Sequence, residues 1–404
     1  MAHFPGEQAM AAKERIGAID FWRGAILVLI LVDHIPGNLL DTITPRNFGF
    51  SDSAEAFVFL SGLSVGVVYY HRTVTAGLVD VVRRCFARAF RIYGVHLALT
   101  FCAIGIFGAI YALSGLSDLI EAQGRGFVFT NPLRGLLGVV MLSQQLGYFN
   151  ILPMYVVMML WSPAILALTR VSAPLALTAS VGVYAAARLF GLDLPNWPES
   201  GSWFFNPFAW QLIFSFGVVV AILWREKPAP RSTPLLWISG LVVVLAAVIV
   251  TDGAGLAAGL RDAVFAHLDV QKQNLGLARL LHFLALAYLV AQTPVLGRLA
   301  DTVAGREVQR LGRHSLAIFA SGSLLSALGQ ALLRIADQPL GGGVAIFGVV
   351  YTLASIVGLF LLARYFEWHP SSSAGWRREA AAGVDGDMLL SRLSVRSLRS
   401  PFGH

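Results

Sequence analysis

Four ionisable residues stand inside an apolar stretch near the start of the chain: Asp20, Arg23, Asp33 and His34. A charged side chain within a membrane span is costly, so such residues usually face a cavity or a partner and mark a functional site. Arg23 and His34 are eleven residues apart, which returns a helix to within about 20° of the same face with a rise of about 16 Å. We therefore expect one groove to contact both. For Arg23 with Asp20, anchoring of the helix at the lipid headgroups is an equally good interpretation.

The second apolar stretch opens with Ser51, Asp52 and Glu55. Asp52 and Glu55 are three residues apart and so share a helix face. Two carboxylates there could bind sugar hydroxyls or orient an imidazole ring. The alternative is a capped helix N-terminus, where acidic residues and a serine are favoured. Farther along, the spacing of Gly62 and Gly66 is typical of close helix packing.

A third polar group lies late in the chain, where Lys272 and Asn274 precede Arg279 and His282. The three-residue spacing places Arg279 and His282 on one side of a helix. We expect this group at the same membrane depth as His34, so that polar residues from three helices converge.

A run of arginines separates the second and third apolar stretches. Guanidinium groups bind phosphates in bidentate fashion, so such a run suits a polyanionic ligand. The alternative is the positive-inside signal, which needs no ligand and is the better interpretation of the run alone. Arg88 and Arg91 adjoin the third stretch and are best placed to line a pocket. The run comprises Arg83, Arg84, Arg88 and Arg91, and Tyr93 and His96 follow it.

The elements that must position these residues are apolar stretches long enough to cross a bilayer, which takes roughly 17 to 25 residues. Hydrophobic residues make up 56% of the 404 residues and charged residues 13%, which excludes an ordinary soluble domain. The sequence predicts an all-α, polytopic integral membrane protein of about ten transmembrane helices. They lie near 20–40, 54–70, 92–113, 151–169, 174–190, 208–224, 234–251, 276–293, 315–334 and 344–366.

The stretch 132–148 contains Arg134, Gln144 and Gln145 and is barely long enough to span. We predict that it is re-entrant or interfacial. If it does not cross, loops on one side carry fifteen Lys and Arg residues (in 13–15, 72–91, 170, 225–231 and 298–313), and the other side carries Arg46, Arg125, Arg134, Arg261 and Lys272. Positive charge resists translocation, so we expect both termini in the cytoplasm.

The formal net charge of +7 is compatible with a nucleic acid or a membrane surface. Because the cations lie in loops between apolar stretches, we expect a bilayer and no nucleic acid. Three parts follow: an N-terminal cytoplasmic segment (1–15), a transmembrane domain (16–368), and a disordered cytoplasmic tail (369–404) rich in Ala, Ser, Gly and Arg. Cys85 and Cys102 are the only cysteines, so we predict neither a disulfide framework nor a metal site.

Seven short motifs between about residues 16 and 366 together carry a family resemblance. They are Asp20-Phe21-Trp22-Arg23-Gly24, Asp33-His34-Ile35-Pro36-Gly37-Asn38, Gly49-Phe50-Ser51-Asp52 with Glu55, Phe57-Val58-Phe59-Leu60-Ser61-Gly62, Arg88-Ala89-Phe90-Arg91-Ile92-Tyr93 with His96, Leu152-Pro153-Met154-Tyr155, and Lys272-Gln273-Asn274 with Arg279-Leu280-Leu281-His282. With them the chain resembles the OpgC-type membrane acyltransferases, which are related to acyltransferase family three. It departs from that pattern at Leu277-Ala278, where the resemblance leads us to expect a proline.

The resemblance implies acyl transfer across a bacterial inner membrane, from cytoplasmic acyl-CoA to hydroxyls of an osmoregulated periplasmic glucan, with succinyl as the acyl group. It implies that His34 is the catalytic residue, with Arg23 as its partner lower in the same helix. His34 would act as a general base or as an acyl-accepting nucleophile, two mechanisms between which the sequence does not choose.

The remaining candidate residues take roles around this reaction. Asp33 or Glu55 would orient the imidazole, and Lys272 or Arg279 would stabilise the oxyanion or hold the distal carboxylate of a succinyl group. The residues expected to bind the acceptor or the acyl group are Asp52, Lys272, Arg279 and His282. Those expected to bind acyl-CoA are Arg84, Arg88, Arg91 and Tyr93.

A transporter is the alternative from another functional class. In it, Arg23, Asp33, His34 and Arg279 would bind a small anion or relay protons within the membrane. Without the family resemblance the two functions are equally well supported. Stabilisation by CoA, but not by small anions, would favour the enzyme.

Overall fold

The computed structural model describes residues 5–226, 230–253, 255, 257–340 and 343–369, and most of these residues are helical. Sixteen α-helices follow one another in the described chain: α1 (Pro5–Asp33), α2 (Ser53–Thr75), α3 (Gly77–Ser114), α4 (Asp118–Glu121), α5 (Gly126–Thr130), α6 (Pro132–Val140), α7 (Ile151–Val171), α8 (Ala173–Phe190), α9 (Pro207–Glu226), α10 (Thr233–Thr251), α11 (Ala258–His267), α12 (Leu277–Gln292), α13 (Pro294–Leu299), α14 (Val303–Arg313), α15 (Ser315–Leu340) and α16 (Val344–Trp368). Two short 3-10 helices, Leu39–Ile43 and Pro45–Asn47, separate α1 from α2.

Among the described residues, eight helices are long and apolar enough to cross a membrane: α2, α3, α7, α8, α9, α10, α15 and α16. The other two predicted spans are also helices. One is α1, which carries Asp20, Arg23 and Asp33, and the other is α12, which is apolar but only 16 residues long. The predicted all-α, polytopic membrane fold is confirmed. Eight helices are both long enough and apolar enough to span, whereas α1 carries too many charges and α12 is too short.

The first helix differs from its predicted bounds at both ends. It begins at Pro5, so it includes most of the segment predicted as an N-terminal extension, and it ends at Asp33 and not near residue 40. At the other end of the chain, α16 ends at Trp368. The predicted tail is 369–404, and its residues 370–404 lie outside the described part of the chain.

A compact turn ends α1 one residue before His34. Gly37 has a φ of +87°, a left-handed conformation that glycine adopts without a steric penalty. The Asn38 side chain is buried and donates to the carbonyls of Val32, at 3.1 Å, and Ile35. Val32 lies in the last turn of α1 and Ile35 just beyond it, where few helical N–H groups remain, so the side chain supplies additional donors. The motif around His34 therefore places its imidazole at a helix end and not within a continuous helix.

The stretch 132–148 contains only the nine-residue helix α6, which is about 14 Å long and too short to cross the hydrocarbon core. The Tyr93 hydroxyl donates to the Val140 carbonyl at 2.8 Å, which fixes the end of α6 against α3. Together with α4 and α5, this helix belongs to a folded connection between α3 and α7 that is packed through Leu146 and Phe149, both almost fully buried.

The core of the bundle lies at α2, α7 and α9, the spans that are most buried, whereas α3, α8, α10 and α16 have largely exposed surfaces. Glycines allow the closest approach of helix backbones. A Cβ atom at Gly62 of α2 would lie 2.0 Å from the Phe214 carbonyl oxygen of α9, and one at Gly217 would lie 2.3 Å from that of Phe59. The close packing predicted for Gly62 is thus reciprocated by a glycine of the facing helix.

Candidate functional site

The His34 imidazole lies at the end of α1 and packs against the Tyr148 ring, with ring centroids 4.8 Å apart. Its backbone carbonyl accepts a hydrogen bond from Gln330 Nε2 of α15 at 2.9 Å. Its Nδ1 is buried and has no hydrogen-bond partner among the described residues. Lys272 and Asp52 lie close enough for their charges to act on the ring.

Asp33 and Arg46 form the polar side of this region. Ser53 Oγ donates to Asp33 Oδ2 at 3.3 Å, and Arg46 Nε lies 3.7 Å from Asp33 Oδ1. Arg46 also forms an ion pair with Asp41. Neither oxygen of Asp33 bonds to the imidazole, in contrast to the orienting contact expected from the sequence. We call His34, Asp33, Arg46, Tyr148 and Gln330 the histidine cluster.

Four charged residues that the sequence placed in separate groups meet in one network. Asp52 Oδ2 lies 2.6 Å from Lys272 Nζ and 3.0 Å from Arg279 Nη2, and Glu55 Oε1 lies 2.7 Å from Arg279 Nε. Glu55 has no exposed surface. Two acids and two bases make this set, the charged network, neutral overall.

The two acids of the charged network also cap α2. Asp52 Oδ1 accepts from the Ala54 N–H at 2.8 Å, and Glu55 Oε2 accepts from the Asp52 N–H at 2.8 Å, which forms a capping box. Burial raises the pKa of the Asp52 carboxyl, but the adjacent Lys272 and Arg279 outweigh burial and hold that pKa below its usual value. One geometry is therefore compatible with both interpretations of these acids, as caps of the helix N-terminus and as part of a binding site.

A loop before α12, whose backbone carbonyls are hydrogen-bonded, presents Lys272 to this network. The Trp210 indole donates to the Lys272 and Gln273 carbonyls, each at 3.1 Å, and the Asn206 N–H donates to the Gln273 carbonyl at 3.0 Å. Asn206 Nδ2 donates to Asn274 Oδ1 at 2.9 Å. Because α9 and the loop before it hold the backbone, Lys272 needs little reorganisation to keep its position.

His282 packs against the segment that leads into α2. Ser51 Oγ lies 2.6 Å from its Nδ1, and the Ser51 N–H donates to the same nitrogen at 3.3 Å. A Cβ atom at Gly49 would lie 2.4 Å from His282 Nε2, so only glycine allows this approach. His282 thus contacts the start of α2 directly and is joined to the charged network through its own helix.

A second polar group, which we call the arginine cluster, lies at the start of α15. Arg23 is buried, lies 3.8 Å from Asp20 in an ion pair, and donates to Ser315 Oγ. Tyr155 and Arg88 both act electrostatically on Arg23, and Arg88 hydrogen-bonds the Tyr155 side chain. The cluster comprises Arg23, Arg88, Tyr155 and Ser315. Arg23 is buried, unlike a side chain that extends to the lipid headgroups to anchor a helix.

Helix α15 contacts α1 at both Arg23 and His34. Ser315, at its start, accepts from Arg23, and Gln330, near its middle, donates to the His34 carbonyl. The two helices therefore run side by side in the same direction between the arginine cluster and the histidine cluster. This arrangement agrees with the expectation that Arg23 and His34 share a face of α1.

The four residues expected to bind acyl-CoA all lie on α3 but have different surroundings. Arg84 Nε forms an ion pair with Asp80 at 2.7 Å, and Arg91 is exposed. The Tyr93 hydroxyl donates to a backbone carbonyl of α6. Of the four, Arg88 is the one that belongs to the arginine cluster.

Tyr148, Gln330 and Arg125 were not among the residues proposed from sequence for this site, yet the first two contact His34 and the third contacts Gln330. Tyr148 has a φ of +71°, a conformation that costs energy for a bulky residue and that is often found at functional sites. Gln330 joins His34 to Arg125, since its Oε1 accepts from Arg125 Nη1 at 3.4 Å. None of the three falls in a motif whose spacing indicates chemistry.

Comparison with known proteins agrees with the motifs. The model of a family described as OpgC protein matches residues 15–371. The match includes the histidine cluster, the charged network and the arginine cluster, and it confirms the resemblance found in the sequence. No curated protein and no solved structure matches the chain. The chain therefore belongs to the OpgC family, and this membership implies a membrane acyltransferase that acts on periplasmic glucans.

Proposed function

We propose that the protein transfers a succinyl group from cytoplasmic acyl-CoA to a hydroxyl of a periplasmic glucan, with His34 as the general base. The observation that carries this proposal is the His34 imidazole, whose buried Nδ1 has no partner among the described residues. Buried polar atoms are nearly always hydrogen-bonded, and an exception often serves a catalytic role. The position of the His34 imidazole beside the charged network supports proton transfer to or from a bound hydroxyl.

The reaction needs one proton acceptor and no redox partner. The hydroxyl oxygen of the glucan forms a bond to the thioester carbonyl carbon, and the carbon–sulfur bond breaks. The hydroxyl proton passes to the neutral imidazole of His34 and then to the departing CoA thiolate. The products are the glucan ester and free CoA, so atoms and charge balance.

The charged network is the proposed binding site for the acceptor. Carboxylates accept hydrogen bonds from sugar hydroxyls, and an ammonium group donates to them. Lys272, with 30% of its side chain exposed, is the most accessible member, and Glu55 is the least accessible. We therefore assign the direct contact with the glucan to Lys272 and Asp52, while Arg279 and Glu55 hold them in place.

The donor approaches from the other end of α1. We propose that Arg88 of the arginine cluster contacts the phosphates of CoA, and that the pantetheine arm extends along the α1–α15 contact toward His34. Support comes from the side-by-side course of these helices between the two clusters. This route requires both termini to lie in the cytoplasm and the glucan to lie on the far side of the inner membrane.

Mass spectrometry of periplasmic glucans tests the proposed function. Cells that produce the protein should contain glucans whose mass is increased by succinyl groups, and cells that lack it should not. Glucans of identical mass in both strains, with the protein present in the membrane, would contradict the proposal.

A further inference from the structure

Arg125 lies buried beside the histidine cluster, in the folded connection between α3 and α7. Only 4% of the residue is exposed. Its Nη1 donates to Gln330 Oε1 at 3.4 Å, and its Nε has no hydrogen-bond partner among the described residues. The guanidinium carbon lies 3.9 Å from the centroid of the Phe107 ring, so a cation–π contact holds the group in place.

The other cations near His34 already have carboxylate partners. Arg46 is paired with Asp33 and Asp41. Lys272 and Arg279 are paired within the charged network. These cations are thus neutralised before any ligand binds.

Arg125 forms no ion pair with a carboxylate in the described part of the chain. Asp118 acts on it electrostatically, but the Asp118 carboxylate is itself paired with Arg334. Burial lowers the pKa of the Arg125 guanidinium. Tyr148 and Asp118 act in the opposite direction but do not outweigh burial. A buried guanidinium without an anion is unfavourable, and a carboxylate that accepts its parallel N–H groups would remove most of that cost.

Two side chains connect Arg125 to His34. Gln330 accepts from Arg125 through Oε1 and donates to the His34 carbonyl through Nε2. Tyr148 packs its ring on the His34 imidazole and acts electrostatically on Arg125. Because the Gln330 side chain alone spans from Arg125 to the His34 backbone, a short ligand can reach from one residue to the other.

We propose that Arg125 is a carboxylate subsite that binds the distal carboxylate of a dicarboxylic acyl group while the acyl carbonyl lies at His34. This proposal rests on the proposed acyl transfer for the identity of the ligand. It moves the expected carboxylate contact away from Lys272 and Arg279, whose charges are already neutralised. Arg125 is then a residue that determines donor specificity.

The transfer test uses the purified full-length protein with succinyl-CoA and acetyl-CoA as donors. In Arg125→Gln, kcat/KM for succinyl-CoA should fall by about 10- to 100-fold, the loss expected for one charge-assisted contact. The value for acetyl-CoA, which has no distal carboxylate, should stay unchanged. Arg134→Gln, which alters an exposed arginine of α6, should change neither value. Equal losses with both donors, or no loss with either, would overturn the subsite.

A binding test separates this proposal from the proposed function. Succinate should raise the melting temperature of the wild-type protein but not that of Arg125→Gln, and succinamide, the uncharged diamide of the same length, should raise neither. Arg125-dependent stabilisation by succinate in a protein that transfers no acyl group would support the subsite and refute the enzyme. Absence of stabilisation of the wild-type protein would overturn the subsite, and this result does not depend on whether the variant folds.

Discussion

Arg88 and Arg91 provide a matched pair at the residue scale, because they lie on the same helix and differ in burial. Arg88 contacts Tyr155 within the arginine cluster, whereas Arg91 is exposed. If Arg88 binds a phosphate of CoA, Arg88→Ala should weaken CoA binding by about 1.5–3 kcal/mol. Arg91→Ala should leave the affinity near that of the wild type. Isothermal titration with CoA measures the affinity of both variants. An unchanged affinity in Arg88→Ala would favour the alternative, in which the arginine run is only a positive-inside signal.

Individual residues differ in how far the sequence reveals them. The charged residues of the charged network are visible because a charge in an apolar stretch needs a partner, and the structure pairs Asp52 and Glu55 with Lys272 and Arg279. Arg125 carries an equally unusual charge, but it lies in an irregular connection where cations are common. Its burial depends on how that connection folds over α3, and no local spacing encodes that.

Helix packing at the element scale depends on Gly62, where an added Cβ would lie 2.0 Å from the Phe214 carbonyl oxygen of the facing helix. Gly62→Ala should separate α2 from α9 and destabilise the protein by about 1–3 kcal/mol, the usual cost of overpacking. The measurement is the thermal unfolding of purified protein in detergent. Gly358→Ala is the control, because nothing lies within 4 Å of the added Cβ on α16. A Gly62→Ala protein as stable as the control would refute the close contact.

The helices themselves could be predicted well, because each of the ten apolar stretches is a helix in the structure. Their ends could not. Hydrophobicity continues past Asp33, but Pro36, Gly37 and Asn38 form a turn whose hydrogen bonds end α1 early. The stretch 132–148 is predicted to be re-entrant or interfacial, but the bounds of its nine-residue helix do not follow from hydropathy. Hydropathy reports the environment of a segment, and turn geometry decides where the segment ends.

At the scale of the whole molecule, the sidedness of both substrates depends on the topology. We expect a reporter fused after Ser172 to lie in the cytoplasm, since α6 is too short to cross and the last turn of α7 carries Arg170. Fusions with alkaline phosphatase should be inactive there and fusions with a cytoplasmic reporter active. Alkaline phosphatase activity after Ser172 would show that this half of the protein has the opposite orientation. The arginine cluster would then not face cytoplasmic CoA.

The most direct test of the central claim is glucan acylation by His34→Ala. Loss of a positioned general base usually lowers a rate by about 10²- to 10⁴-fold, so the variant should bind CoA normally and transfer almost no succinyl group. His267→Ala, which alters an exposed histidine of α11, should retain wild-type turnover. With both variants present in the membrane at equal amounts, near-normal succinylation by His34→Ala would contradict the mechanism.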